Sequence, residues 1–82
     1  MKKLITRKRY IIVYNNKYVM CYDDENYYFK ELKDVENAQI KKYSNKKKAS
    51  IDFEHKWGKP MDNRYSIVKI KEVIKIKNKW YL

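Results

Sequence analysis

The chain predicts an α+β domain, a twisted antiparallel sheet of four or five strands with one helix packed on one face, in the order β-β-β-(β)-α-β. Three observations carry this. Short runs rich in β-branched and aromatic residues alternate with turn residues in the first 32 positions. A segment bounded by Ser44 and Gly58 places Ala49, Phe53 and Trp57 four residues apart. From Ser66 to Trp80 the chain alternates between two chemically opposite faces.

The elements follow in order. Arg9–Tyr14 (RYIIVY) reads as a strand and Asn15-Asn16 as a tight turn, since Asn tolerates positive φ. Tyr18–Tyr22 returns as a second strand. Asp23–Asn26 is a second turn and Tyr27–Leu32 a third strand. Asp34 is a candidate cap for a short helical turn, and Ala38–Tyr43 a candidate short strand. The helix opens at Ser44 as N-cap and stops at Gly58 in a left-handed conformation. Lys59-Pro60 keeps it from continuing. The final strand carries Val68, Ile70, Ile74 and Ile76 at even positions, which are expected to pack on the core. Lys69, Lys71, Lys75, Lys77 and Lys79 line the other face, with a candidate bend near Lys71-Glu72.

At 82 residues this is one domain, covering 1–82, with residues 1–8 expected to form a mobile basic arm. The single cysteine, Cys21, excludes an internal disulfide and fits a reducing cytoplasm. No apolar run approaches the roughly 20 residues of a membrane span, and no signal peptide is expected.

Catalytic constellations are missing from the sequence. His55 is the only histidine, and its neighbours Glu54 and Asp52 have no metal-ligand spacing. Cys21 has no base adjacent in sequence and reads as a small buried hydrophobe. Asp23-Asp24-Glu25 lacks the glycine and spacing of a calcium loop. The chain is therefore read as non-enzymatic, with no cofactor and no metal.

Charge is the remaining signal. The net formal charge is +11, and it is segregated: residues 1–17 carry +6, 18–36 carry −4, 37–48 carry +5, 49–62 carry −1 and 63–82 carry +5. The candidate binding residues are Lys69, Lys71, Lys75, Lys77 and Lys79 on the last strand, and Lys41, Lys42, Lys46, Lys47 and Lys48 around the helix start. Lys2, Lys3, Arg7, Lys8 and Arg9 form a third basic group. Tyr43, Tyr65 and Tyr81 are candidate aromatic contacts. Lysines outnumber arginines 18 to 3, which favours backbone contact over bidentate base reading. Nine tyrosines and two tryptophans also suit a protein–protein interface.

Ser44–Lys71 pairs a Ser-capped, lysine-rich, Ala-containing helix (SNKKKASIDF) with a Tyr-x-Ile-Val-Lys strand (YSIVKIKEV). That combination resembles small proteins of phages and mobile elements of Gram-positive bacteria, a pool that includes anti-CRISPR and other host-takeover inhibitors. The Lys-, Asn-, Ile- and Tyr-heavy vocabulary fits an AT-rich coding source of that kind. The resemblance implies a stoichiometric inhibitor of a host nucleic-acid-handling complex, such as a CRISPR effector, in the bacterial cytoplasm. It transfers no functional residue. The alternative is a sequence-nonspecific nucleic-acid-binding protein acting through the lysine faces. The partner expected is a host protein or ribonucleoprotein, with nucleic acid as the other option and no membrane; the protein itself is a monomer or homodimer.

Overall fold

A computed structural model describes residues 3–76. Its backbone is a ladder of two long strands. β1 (Lys3–Tyr14) pairs antiparallel along its whole length with the last strand, Tyr65–Ile76, from Lys3↔Ile76 to Tyr14↔Tyr65. Twelve pairs at about 3.3 Å each give roughly 40 Å, which accounts for most of the molecule's 46 Å long axis. β1 turns through Asn15 and Asn16, both at positive φ (51° and 56°), into β2 (Tyr18–Asp23). Asp24 and Glu25, also at positive φ, lead into β3 (Asn26–Glu31). The sheet order is β3-β2-β1 followed by the last strand, β4.

β1 and β2 pair only next to their turn, at Val13↔Val19 and Tyr14↔Tyr18. Beyond that they diverge, and the segment 40–43 fills the fork. Ile40 bridges Cys21, the Lys41 N–H donates to the Met20 carbonyl at 3.0 Å, and Tyr10 and Tyr43 exchange two backbone hydrogen bonds of 2.8 Å. The candidate strand Ala38–Tyr43 is thus two isolated bridges, preceded by a 3-10 turn at Asn37–Gln39. That turn is capped by Glu36 rather than Asp34, because Glu36 and Gln39 satisfy each other's backbone N–H.

α1 spans Lys46–Trp57. Its cap is Asn45, one residue after the expected Ser44, because the Asn45 carboxamide reaches the Lys48 N–H at 2.8 Å. Gly58 ends it in the left-handed conformation (φ 73°), donating to the Glu54 carbonyl. Ala49 and Phe53 are fully buried and Trp57 half-buried, as their spacing predicted.

Three further expectations are corrected. Residues 3–8, set apart as an arm, are the first half of β1 and pair with β4. The expected first strand began at Arg9 because Lys3–Lys8 lacks a continuous apolar face; what extends it is a partner strand remote in sequence. The third correction concerns faces. The helix packs on the odd face of β4, against Tyr65 and Ile67, together with Ile12, Met20 and Tyr43. The even face carries a second cluster, Ile11, Val13, Val19 and Cys21, with Ile70 partly buried and Val35 and Ile40 laid over it. Both faces of the sheet are therefore covered near the β1–β2 turn. Lys69 and Lys71 share the helix's side of the sheet and lie beyond the helix's edge.

Candidate anion-binding surface

Paired residues of an antiparallel ladder project to the same side. The helix side of the β1–β4 ladder therefore reads Tyr14/Tyr65, Ile12/Ile67, Tyr10/Lys69, Lys8/Lys71 and Thr6/Val73. α1 covers the first two pairs. Past it Tyr10 still packs against the core, but Lys69, Lys71 and Lys8 stand exposed. Tyr43 lies beside Tyr10 on the opposite edge from Lys69, two strand spacings or about 10 Å across, and the chain enters α1 three residues later. The first turn of α1, with exposed Lys46, Lys47 and Lys48 and no acidic residue, thus begins beside the row. Two basic segments far apart in sequence thus lie on the same side of the sheet. Among the described residues, none of these six lysines has an ion-pair partner.

The opposite face behaves differently. Arg7 Nε and Arg9 Nε reach Glu72 Oε1 at 3.2 and 3.3 Å, and Lys42 Nζ reaches Oε2 at 3.1 Å. Three cations converge on one carboxylate. The Lys42 hydrogen bond is the main reason that Glu72 titrates below the ordinary carboxylate range, with Arg7 and Arg9 adding to it. Lys42, expected in the same patch as Lys41, belongs to this cluster. Successive residues of the 40–43 segment point to opposite sides, so the two part company.

Lys41 turns to the helix side, where its ammonium lies 5.1 Å from the Tyr22 ring centre and 5.4 Å from that of Tyr43. With Tyr43, Lys48, Ile51, Asp52 and His55 it lines an open depression of about 470 Å³. At its floor the Asp52 carboxylate accepts from the Tyr27 hydroxyl at 2.9 Å and from the Tyr43 hydroxyl. Burial and the Asp52 contact push the Tyr27 phenol up to about 12, and Tyr43 higher still. Tyr43, expected as a stacking contact, is buried with its hydroxyl engaged; its ring serves the core instead. Tyr65 is half-buried, 4.9 Å from Tyr14 and 4.8 Å from Phe53 between ring centres. It borders a second open groove with Tyr14, Tyr18 and Phe29.

Lys75 is a β4 residue opposite Leu4. Lys77, Lys79 and Tyr81 lie outside the described residues. Cys21 is fully buried in the second cluster, where desolvation raises its thiol pKa, which suits a core residue. His55 is exposed on α1. Among the described residues no group of three or more His, Cys, Asp or Glu side chains is placed to hold a metal ion, and no helix is long and apolar enough to cross a membrane. Sequence reasoning did not anticipate the Asp52 node or the Glu72 cluster. The first has no short-range signal, since Tyr27 and Asp52 are 25 residues apart. The second needs the β1–β4 register.

No protein-family model, curated protein or solved structure matches the chain.

Proposed function

We propose that this is a non-enzymatic binding protein that acts by occupancy, a phage-type stoichiometric inhibitor that docks its lysine face on a host nucleic-acid-handling complex such as a CRISPR effector. The observation that carries the reading is the segregation of charge. On one face three cations share Glu72, while on the other six lysines have no ion-pair partner among the described residues. Like charges at that density repel unless an anion neutralises them, so the face suits an anionic partner. Aromatic rings half-exposed at the other end of the sheet supply the contact chemistry of protein interfaces.

A second reading, direct sequence-nonspecific binding of a nucleic-acid backbone, is favoured by the Lys69–Lys71 spacing of about 7 Å beside a helix N-terminus. One pull-down separates the two. The full chain is bound to resin, exposed to low-GC bacterial lysate and washed with and without nuclease. A protein partner retained after nuclease supports docking on a complex, and its activity should then fall in proportion to added protein, reaching completion near one copy per site. Loss of all retained material on nuclease treatment overturns docking in favour of the second reading. In that case oligonucleotide affinity should fall steeply with salt.

A further inference from the structure

Among the described residues β4 is an edge strand, and its backbone parity shows what the edge offers. Tyr10 spends both its N–H and its carbonyl on Tyr43, on the side away from β4. The Tyr14 carbonyl likewise accepts from Lys17, on the β2 side. Even residues of β1 therefore direct their backbone groups toward β2, and their pairs with β4 are the non-hydrogen-bonded kind. Those partners are Lys69, Lys71 and Val73. Their N–H and carbonyl groups point to the open edge. The ladder to β1 is carried by Val68, Ile70 and Glu72, and its register runs unbroken with no proline.

The side chains beside this edge alternate. Lys69 and Lys71 rise on the helix side; Val68, 39% exposed, and the half-buried Ile70 lie on the other. A second copy of β4 is a poor occupant. Antiparallel self-pairing keeps odd residues opposite odd residues, which would set lysine rows against each other. The complementary strand carries a carboxylate wherever it passes a lysine and an apolar side chain wherever it passes Val68 or Ile70.

We propose that the edge of β4 from Ile67 to Val73 is a docking site for an extended protein segment of alternating acidic and apolar residues, added as a fifth strand. The inference rests on the docking reading above and names the chemistry of its partner. Lysines supply charge complementarity, while the outward N–H and carbonyl groups of residues 69, 71 and 73 fix direction and register.

The test uses the full chain and an eleven-residue peptide alternating glutamate and valine. A peptide of the same composition with the two residues in separate blocks is the comparison, and a single-stranded oligonucleotide is the third probe. The alternating peptide should protect the amide hydrogens of Lys69, Lys71 and Val73 from exchange in the wild-type protein; the block peptide should not. Val73→Pro removes one outward N–H, spends no ladder bond and leaves every lysine in place. It should weaken the alternating peptide about tenfold, as loss of one well-placed hydrogen bond implies, and leave the oligonucleotide unaffected. The inference fails if the alternating peptide does not bind. It also fails if the two peptides bind alike without edge protection, or if Val73→Pro binds the alternating peptide as wild type does. If a nuclease-resistant partner is retained equally by wild type and Val73→Pro, the docking reading stands and the edge inference falls.

Discussion

β1 and β4 form one continuous ladder, yet its two ends are held by different physics. At the turn end, Tyr10–Tyr14 and Tyr65–Ile67 lie beneath α1, against Phe53 and Trp57, with a second apolar cluster on the reverse side. At the far end the same two strands have lost that cover. Ile5 and Val73 are about half exposed, and the identified side-chain ties are ion pairs to Glu72. The hydrogen-bond ladder is common to both. What differs is apolar burial, so the turn end should carry most of the stability and the far end most of the capacity to bind.

The largest effect expected from breaking this contrast is at Phe53. Its ring is fully buried, stacked 4.7 Å from Trp57 and edge-on to Tyr65 at 4.8 Å. Phe53→Ala should cost about 3–5 kcal/mol, a large share of the roughly 5–15 kcal/mol that a small domain possesses. Thermal and urea unfolding measure it. A melting temperature close to wild type would show that the helix does not anchor the turn end.

How much of this was legible in the sequence depends on how local the cause is. The two turns, the Gly58 stop and the 49/53/57 stripe were readable because each rests on conformational preferences within a few residues. The side of the sheet that α1 covers was not. Alternation along 66–80 announces two faces, but Ile67 looks like an interruption of a lysine row until Ile12 is known to sit opposite it. The half of β1 before Arg9 was hidden for the same reason, since its pattern makes sense only against β4. The lysine face itself was legible as composition. Its separation from the Lys42 cluster followed from alternation in a segment whose strand character rests on two bridges.

A smaller effect sharpens the account of the turn end. Tyr27 and Tyr43 both donate to Asp52, tying β3 and the 40–43 segment to α1. Both phenols have raised folded-state pKa values, Tyr27 to about 12. A raised value means the folded state keeps a proton that the unfolded chain loses near its ordinary value of 10. This contribution is therefore complete below pH 10 and declines as pH rises toward 12 and beyond. Tyr43→Phe should lower stability at neutral pH by about 1 kcal/mol and make the alkaline decline shallower. Because the lysines titrate in both proteins, the difference between the two denaturation curves is the quantity to follow. Parallel curves from pH 9 to 12 would remove Tyr43 from the explanation.

The smallest effect belongs to the far end. Glu72 is a surface carboxylate, and ion pairs near solvent contribute little to global stability. It is nevertheless the one negative charge among Arg7, Arg9 and Lys42, and its loss leaves three cations facing one another. Its folded-state pKa lies below the ordinary value of 4.5. The contribution is thus present above about pH 4.5 and lost as pH falls through the folded value. Glu72→Gln should mimic the acid state at neutral pH. The melting temperature should drop far less than in Phe53→Ala, and salt should restore part of the drop by screening the repulsion among the three cations. Amide exchange should quicken at the ladder positions 5, 7, 9, 70 and 72 and stay unchanged at 11 and 13. That spatial split is the decisive readout, because a change spread evenly along β1 would mean that the ladder is one cooperative unit. The two ends would then differ in surface chemistry alone.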